Sequence, residues 1–378
     1  MPAEPIVYLD HAATSPLRAT AAHAMERFGA VDFANPTGSH AASRSARKAM
    51  DESRDEIASL LGVSPGEIVF TSGGTESDNT VVLGAVRRNG GVAVAPATEH
   101  HAVLHPVEHL GGRVISVDCN GAVNLAELED TLKNNQATVV SVMAVNNETG
   151  VIADLSAVAH LVRECAPDAI LHSDAVQAAS WMDLKAITAV TDSISLSAHK
   201  FGGPKGVGIM WLRGGKHVEP LMFGGGQERD RRSGTHNVAG IVGMTVALRD
   251  TAAEFGIVAP RVSELRDRLV DSVTAEVGDV HEVAPRSVRV PGSAHICIAG
   301  VESEAILFLL DREGVCASAA SACASGAMEP SHVLSAMGVD AGLARGALRM
   351  TLGHTTTDAD VDRAIEVLVA GITQLRRG

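Results

Sequence analysis

Lysines are scarce in this sequence, and long apolar runs and a basic leader are missing. Only six of the 378 residues are lysine, so a reaction that needs an amine nucleophile has few candidates. Apolar runs such as residues 138–145 stop far short of the roughly 18 residues that cross a bilayer. The first ten residues carry acidic side chains instead of a basic signal region. We therefore expect a cytoplasmic protein that does not enter a membrane.

Positive charge and paired cysteines are also scarce. The chain has 31 Lys and Arg residues against 45 Asp and Glu residues, a formal net charge of -14. A nucleic-acid binder normally carries a basic face that displaces counterions, so we expect no direct contact with nucleic acid. The five cysteines are odd in number and form no CxxC pair, which argues against a disulfide framework and fits a reducing compartment.

The periodicity of the chain predicts an α/β fold. Seven β-rich runs alternate with amphipathic stretches from about residue 67 to residue 213, the pattern of βαβ units in a mostly parallel sheet. Two helical stretches follow, over about 236–255 and 260–277, and then strands mixed with helices. We predict a large domain over residues 15–256 and a smaller α+β domain over residues 1–14 and 257–378. The Ala-, Ser- and Gly-rich stretch 316–330 around Cys323 predicts a mobile loop.

Several of the predicted strands end in polar or glycine-rich turns, where ligands of open α/β sheets gather. The turn at residues 71–77 contains Gly74 and Thr75, and its free N–H groups and hydroxyls could hold a phosphate, although an ordinary capped turn has the same composition. Lys200 follows another strand among small residues, where burial would lower its pKa and make it a nucleophile. A solvated surface lysine is the alternative, and Lys205 is a nearby competitor.

Two further strand ends carry ring-binding candidates. Asp174 could pair with a protonated ring nitrogen, and Gln177 could reach the edge of the same ligand. An aspartate after a strand is also a common helix N-cap, and Asn147 has the same ambiguity. A phosphate site, a buried lysine, a strand-end aspartate and amide donors are together the components of a pyridoxal 5′-phosphate (PLP) pocket.

Three other residue types carry reactive or charged groups. His100 and His101 could stack on a cofactor and move protons, or be polar loop residues; adjacent histidines cannot share one helical face, so we predict no metal site. Arg349 lies in a strand-like run, where it needs a partner, either a substrate carboxylate or a structural ion pair. Cys323 lies among small residues in a loop that could carry a thiolate between two positions.

A set of distinctive segments is spread over nearly the whole chain: YLDHAAT (8–14), NPTGSH (35–40), TSGGTESDN (71–79), TEHH (98–101), VNNETG (145–150), HSDAVQ (172–177), SAHKFGG (197–203), GGGQER (224–229), RSGT (232–235), SACASG (321–326) and LRMTLG (348–353). In order and spacing, this set resembles the cysteine desulfurases, PLP enzymes of the class-V aminotransferase group with fold type I.

The resemblance implies an enzyme that converts L-cysteine to L-alanine and keeps the sulfur as a persulfide of Cys323. It implies Lys200 as the Schiff-base lysine, Asp174 at the pyridinium nitrogen, Gln177 at the ring hydroxyl and His100 stacked on the ring. The implied phosphate ligands follow the Gly74 turn and are Thr75, Ser197 and His199, with the partner subunit's Thr235 in a homodimer. The implied substrate ligands are Asn35, Asn147 and Arg349.

The resemblance also implies an acceptor for the sulfur, either an iron–sulfur scaffold or another sulfur-acceptor protein that serves tRNA or cofactor thiolation. The nearest alternatives are a selenocysteine lyase and another class-V PLP enzyme of the aminotransferase or kynureninase type. A non-catalytic assembly scaffold with the same fold is a further alternative. Cys323 in a loop of small residues favours the desulfurase.

Overall fold

The computed structural model describes residues 6–319 and 331–377, so Cys323 lies outside the described residues. The strands are β1 (Val7–Tyr8), β2 (Ile68–Thr71), β3 (Val92–Pro96), β4 (Arg113–Ile115), β5 (Ala137–Ser141), β6 (Ile170–Asp174), β7 (Ser193–Ser197), β8 (Gly208–Leu212), β9 (Val280–Glu282), β10 (Ser293–Ile298), β11 (Val315–Cys316) and β12 (Ala347–Thr351). The helices are α1 (Ala19–Ala30), α2 (Ala41–Leu61), α3 (Gly74–Asn89), α4 (His101–His109), α5 (Leu125–Asn134), α6 (Leu155–Cys165), α7 (Leu184–Val190), α8 (Val238–Val277), α9 (Ser303–Arg312), α10 (His332–Ala336), α11 (Ala341–Ala344) and α12 (Asp358–Arg377).

A seven-stranded sheet in the order β2-β8-β7-β6-β5-β3-β4 carries the site. Only β8 runs against its neighbours in this sheet; the other pairings are parallel. Successive residues of a strand point to opposite faces, so Val139 packs with α3 and α4 on one face while Val140 packs with α5 and α6 on the other. Burial on both faces explains the continuous apolar runs in the sequence. The predicted α/β fold with a mostly parallel sheet is confirmed.

A second group of elements packs around an antiparallel sheet of β9, β10 and β12. Its core consists of the C-terminal half of α8, the inward faces of α9 and α12, and the N-terminal strand β1, which pairs with β11. Residues 9–12, which follow β1, bond to Thr351 of β12. The division into residues 15–256 and residues 1–14 with 257–378 as separate domains stays a prediction.

The two helical stretches predicted around Pro260 form one helix, α8, of 40 residues. Proline removes the N–H bond to the carbonyl of residue 256, which usually kinks or ends a helix. Here the residue at that position is Gly256, which is exposed, so water can satisfy its carbonyl. Apolar residues on both sides of Pro260, such as Leu248 and Leu269, anchor the two halves in different cores. Within the described residues, no helix combines the length and the apolar character needed to span a membrane.

Candidate active site

The turns that follow β2, β6 and β7 meet beside the N-terminal segment and line a cavity of about 340 Å³. Most of the residues predicted for the site line this cavity, namely Gly74, Thr75, His100, Asn147, Asp174, Gln177, Ser197, His199, Lys200 and Arg349. Asn35 and Thr235 are exposed and lie outside the lining, and Cys323 is outside the described residues. The side-chain oxygen of Asn35 accepts hydrogen bonds from the backbone and the hydroxyl of Thr37.

Lys200 reaches the cavity because β7 ends in a single 3-10 turn, Ala198–Lys200. Its Nζ donates hydrogen bonds to the carbonyls of Ala12 at 2.5 Å and Ala13 at 3.0 Å. Burial, reinforced by the positive charge of Arg349, lowers the pKa of Lys200 from 10.5 to about 8. A substantial share of this amine is therefore neutral, and nucleophilic, near neutral pH.

Asp174 is the last residue of β6 and is buried. Its Oδ1 accepts a hydrogen bond from the backbone N–H of Val176 at 2.9 Å, and no basic side chain of the described residues forms a salt bridge with it. Burial, together with the nearby carboxyl group of Asp78, raises the pKa of Asp174 to about 7. A buried carboxylate of this kind calls for a cationic partner from outside the chain. Gln177 lies on the same turn, and its amide donates to the Ala12 carbonyl at 2.8 Å.

A buried pair, His172 and Asp78, lies close enough to Asp174 to influence its charge and was not predicted from the sequence. His172 Nε2 lies 3.1 Å from Asp78 Oδ1, and His172 Nδ1 lies 3.2 Å from the hydroxyl of Ser193. Burial lowers the pKa of His172 to about 4, so its ring is neutral. The available signal was spacing: His172 precedes Asp174 by two residues, so both side chains point to the same face of β6.

The start of α3 forms an anion cradle from glycine backbone, with no room for a side chain at Gly74. A Cβ atom added to Gly74 would lie 2.6 Å from Cγ2 of Val176, and one added to Gly208 would lie 2.6 Å from Cα of Gly73. The close approach of these backbones places the free N–H groups of the helix next to the hydroxyl of Ser197. Helix N-termini with such N–H groups bind phosphate readily.

Two imidazoles, those of His100 and His199, line the cavity, and both have a lowered pKa. His100 N-caps α4, where its Nδ1 accepts a hydrogen bond from the N–H of Ala102 at 3.1 Å. Burial, followed by the charge of Lys200, lowers the pKa of His100 to about 4. His199 shares a 3.1 Å hydrogen bond with the hydroxyl of Thr14, and burial lowers its pKa to about 4 as well. Because Nδ1 of His100 accepts from Ala102, the neutral ring carries its proton on Nε2, which can donate a hydrogen bond. The Thr14 hydroxyl can donate to Nδ1 of His199 or accept from it.

Arg349 is buried in β12 at the mouth of the cavity and has an internal partner. Its Nη2 lies 2.7 Å from Oδ1 of Asp10, and its Nη1 donates to the carbonyl of Asn147 at 3.0 Å. The structural ion pair that the sequence left open is therefore present. A carboxylate ligand remains compatible with it, since a guanidinium has five N–H donors. No three His, Cys, Asp or Glu residues of the described ranges are arranged to hold a metal ion.

Comparison with known proteins identifies the family. Residues 7–364 match the family model described as aminotransferase class-V. This chain belongs to that family. It is 41% identical to the cysteine desulfurase IscS of Dictyoglomus turgidum, over 98% of this chain and 95% of that protein. It is 42% identical to the IscS-like cysteine desulfurase of Mycobacterium tuberculosis, over 98% of each chain.

Solved structures agree with the sequence relatives. A NifS-like protein superposes with a TM-score of 0.91 at 33% identity, over 98% of this chain and 100% of that chain. The NifS-like protein from Rickettsia africae superposes with a TM-score of 0.89 at 28% identity, over 98% of this chain and 100% of that chain. The fold type I architecture and the dependence on PLP that the sequence predicted are confirmed.

The cavity fits PLP on two observations. The anion cradle at Gly74, which any larger side chain would fill, suits a phosphate group. Asp174 is a buried carboxyl group without a basic partner among the described residues, and a protonated pyridine nitrogen would supply one. Lys200, the one lysine among the described residues that line the cavity, completes the set with an amine of lowered pKa.

Proposed function

We propose that this protein is a PLP-dependent cysteine desulfurase that converts L-cysteine to L-alanine and collects the sulfur as a persulfide of Cys323. The observation that carries the proposal is the convergence of Lys200, Asp174 and Arg349 on one cavity. These residues supply an amine, a ring-nitrogen partner and a carboxylate ligand. The relatives named cysteine desulfurase, similar over nearly the full chain, support the same reaction.

When bound, PLP supplies an electron sink for the charge that develops at the substrate Cα. Lys200 would hold the cofactor covalently, Asp174 would keep a proton at the ring nitrogen, and Gln177 would bond the ring hydroxyl. His100 would stack on the ring. The phosphate would be bound by the turn of Gly74 and Thr75 with Ser197, His199 and, in a homodimer, the partner subunit's Thr235.

Arg349 and the side chain of Asn147 would orient the substrate through its carboxylate. Two groups can move protons beside it: the amine of Lys200, whose pKa of about 8 suits exchange near neutral pH, and the neutral ring of His100. Asn35 would join the substrate ligands only after turning its side chain away from Thr37.

The chain length between Ser318 and Cys323 supports the role of Cys323 as sulfur acceptor. The N–H of Ser318 donates to the carbonyl of Arg349 at 3.1 Å, and the N–H of Arg349 donates back to Ser318 at 2.7 Å. Cys323 follows Ser318 by five residues, so an extended chain keeps it within about 18 Å of that anchor. This length allows the thiol to reach a substrate bound at Arg349.

In the sulfur-transfer step, the thiolate of Cys323 attacks the substrate sulfur. A sulfur–sulfur bond forms, the carbon–sulfur bond breaks, and its electron pair stays with carbon, where protonation gives alanine. The persulfide would then be passed in the cytoplasm to an iron–sulfur scaffold or another sulfur-acceptor protein. No redox partner is needed before that transfer, since the persulfide already holds the sulfur in its transferable form.

The test incubates the purified protein with L-cysteine and measures alanine together with the mass of the peptide containing Cys323. We expect alanine in step with a gain of one sulfur atom on that peptide. Cys323→Ala should still bind PLP and cysteine but form no persulfide, and Cys316→Ala, in the short strand β11, is the matched control. Lys200→Ala should lose both products.

Other outcomes separate the alternatives. A keto acid in place of alanine would indicate an aminotransferase. Selenide release from L-selenocysteine that is unaffected by Cys323→Ala, without turnover of L-cysteine, would indicate a selenocysteine lyase. A protein that binds PLP but turns over neither amino acid would be a scaffold. Undiminished sulfur delivery by Cys323→Ala would refute the role of that cysteine.

A further inference from the structure

Asp10 pairs with Arg349, the residue proposed to bind the substrate carboxylate. Its backbone is fixed: Asp10 forms a bridge with Thr351 at the end of β12, and the hydroxyl of Tyr8 donates to its carbonyl at 3.0 Å. The carboxylate can therefore move only by rotation of the side chain. The two partners are separated by 339 positions in the chain, so the pair exists only in the folded protein.

The contact between Asp10 and Arg349 is a single hydrogen bond that another carboxylate could replace. A single bond of 2.7 Å joins Oδ1 of Asp10 to Nη2 of Arg349, not the two parallel bonds of a fork-to-fork pair. In the described part of the chain, no other donor bonds the Asp10 carboxylate. The Asp10 side chain is 21% exposed against 6% for Arg349, so the anion can turn to water while the cation stays in place.

Charge makes the two carboxylates competitors. A substrate carboxylate at Arg349 would bring a second anion to a guanidinium that already has one. Two like charges that share one partner repel each other, and this repulsion weakens the binding of the newcomer. The bond from Nη1 to the carbonyl of Asn147, at 3.0 Å, is made to a neutral group and holds the guanidinium in place when its anion changes.

We propose that Asp10 is an internal counter-ion that substrate and product carboxylates displace from Arg349. The inference rests on the proposed role of Arg349 as the carboxylate ligand. When a carboxylate enters, Asp10 turns outward, and when the product leaves, Asp10 restores the pair. Asp10 thereby weakens the binding of alanine and favours its release, and it keeps an unpaired buried cation from persisting between turnovers.

The experiment measures equilibrium binding of two unreactive probes to the PLP-loaded protein through the change in its visible absorbance. L-Alanine carries the carboxylate, whereas L-alaninamide has an uncharged amide in its place. Asp10→Asn keeps an oxygen that can accept from Arg349 but removes the charge. We expect this variant to bind L-alanine about three- to tenfold more tightly and L-alaninamide with unchanged affinity.

Control variants test the role of Asp10 separately from the proposed role of Arg349 as the carboxylate ligand. Glu254→Gln breaks another 2.7 Å pair, with Arg18, and should leave both affinities unchanged. Arg349→Gln should remove the preference for L-alanine over L-alaninamide; if the preference persists, the proposed role of Arg349 is wrong, whatever Asp10 does. Asp10→Ser, which also lacks the charge, gives the same readout if Asp10→Asn folds poorly.

Two results would overturn the proposal with Arg349 intact as the carboxylate ligand. Weaker binding of L-alanine by both Asp10 variants would mean that Asp10 orients Arg349 and is not displaced. Equal tightening for L-alanine and L-alaninamide would mean that the substitutions reshape the cavity without a competition of charges.

Discussion

The amine of Lys200 should lose its proton far below the ordinary range of a lysine, and this can be measured before any cofactor binds. Burial is the largest cause of the lowered pKa, and the charge of Arg349 adds to it, while Asp174 and Asp10 oppose it. Because the cationic form is the one disfavoured, the neutral and reactive fraction must rise with pH through about 8.

At neutral pH, the lowered pKa should greatly increase the fraction of Lys200 that is neutral. With a pKa of about 8 in place of 10.5, about a quarter of the amine is neutral at a pH of about 7.5, against about one part in a thousand for an ordinary lysine. Reactivity toward an electrophile should therefore be about 200-fold higher than that of an ordinary lysine, provided that access is equal. Arg349→Gln should shift the midpoint upward but leave it below 10.5, because burial, the larger cause, remains.

The assay is pulsed acetylation of cofactor-free protein across a range of pH, with mass spectrometry of the labelled peptides. Lys133 is an internal control in the same digest, since it is exposed and its hydrogen bond with Glu129 raises its pKa. The labelling rate at Lys200 should reach half of its plateau near pH 8. A midpoint for Lys200 at or above that of Lys133 would refute the reasoning.

Three further outcomes follow from particular contacts. Gly74→Ala should weaken PLP binding at least tenfold, about 1.4 kcal/mol, in a fluorescence titration, because the added Cβ would lie 2.6 Å from Cγ2 of Val176. Adding Val176→Ala should restore most of the affinity. If it does not, the steric explanation is wrong. His172→Ala should lower the free energy of unfolding in urea by about 3 kcal/mol, because it removes a hydrogen-bond partner of the buried carboxyl group of Asp78. The control His160→Ala breaks an exposed pair and should change this free energy by less than about 0.5 kcal/mol. Similar losses in the two variants would contradict this account. Asp174→Asn should keep PLP attached but slow alanine formation about 100-fold, close to 2.7 kcal/mol of activation free energy, and an unchanged rate would exclude a role for its charge.

Local patterns were enough to predict the fold class, the family and the cofactor. Strands of the larger sheet such as β3 and β8 are continuous apolar runs because both of their faces are buried, and polar turns follow several of its strands. The side chains of such turns meet at the carboxyl edge of a parallel sheet, whatever the length or conformation of the other loops. The comparisons confirm these predictions, whereas the roles of individual site residues and the division into domains stay predictions.

The supporting contacts were out of reach of sequence reasoning. The carbonyl of Ala12 that receives Lys200, the carboxylate of Asp10 that pairs with Arg349 and the partnership of Asp78 with His172 join residues 94 to 339 positions apart. Nothing in the local pattern distinguishes Asp10 from any other acidic residue near a strand. Periodicity and turn chemistry act within a few residues, so the sequence alone determined which elements form and where their reactive ends lie. The electrostatic partners of those ends depend on how distant segments pack, and that packing is a property of the whole folded chain.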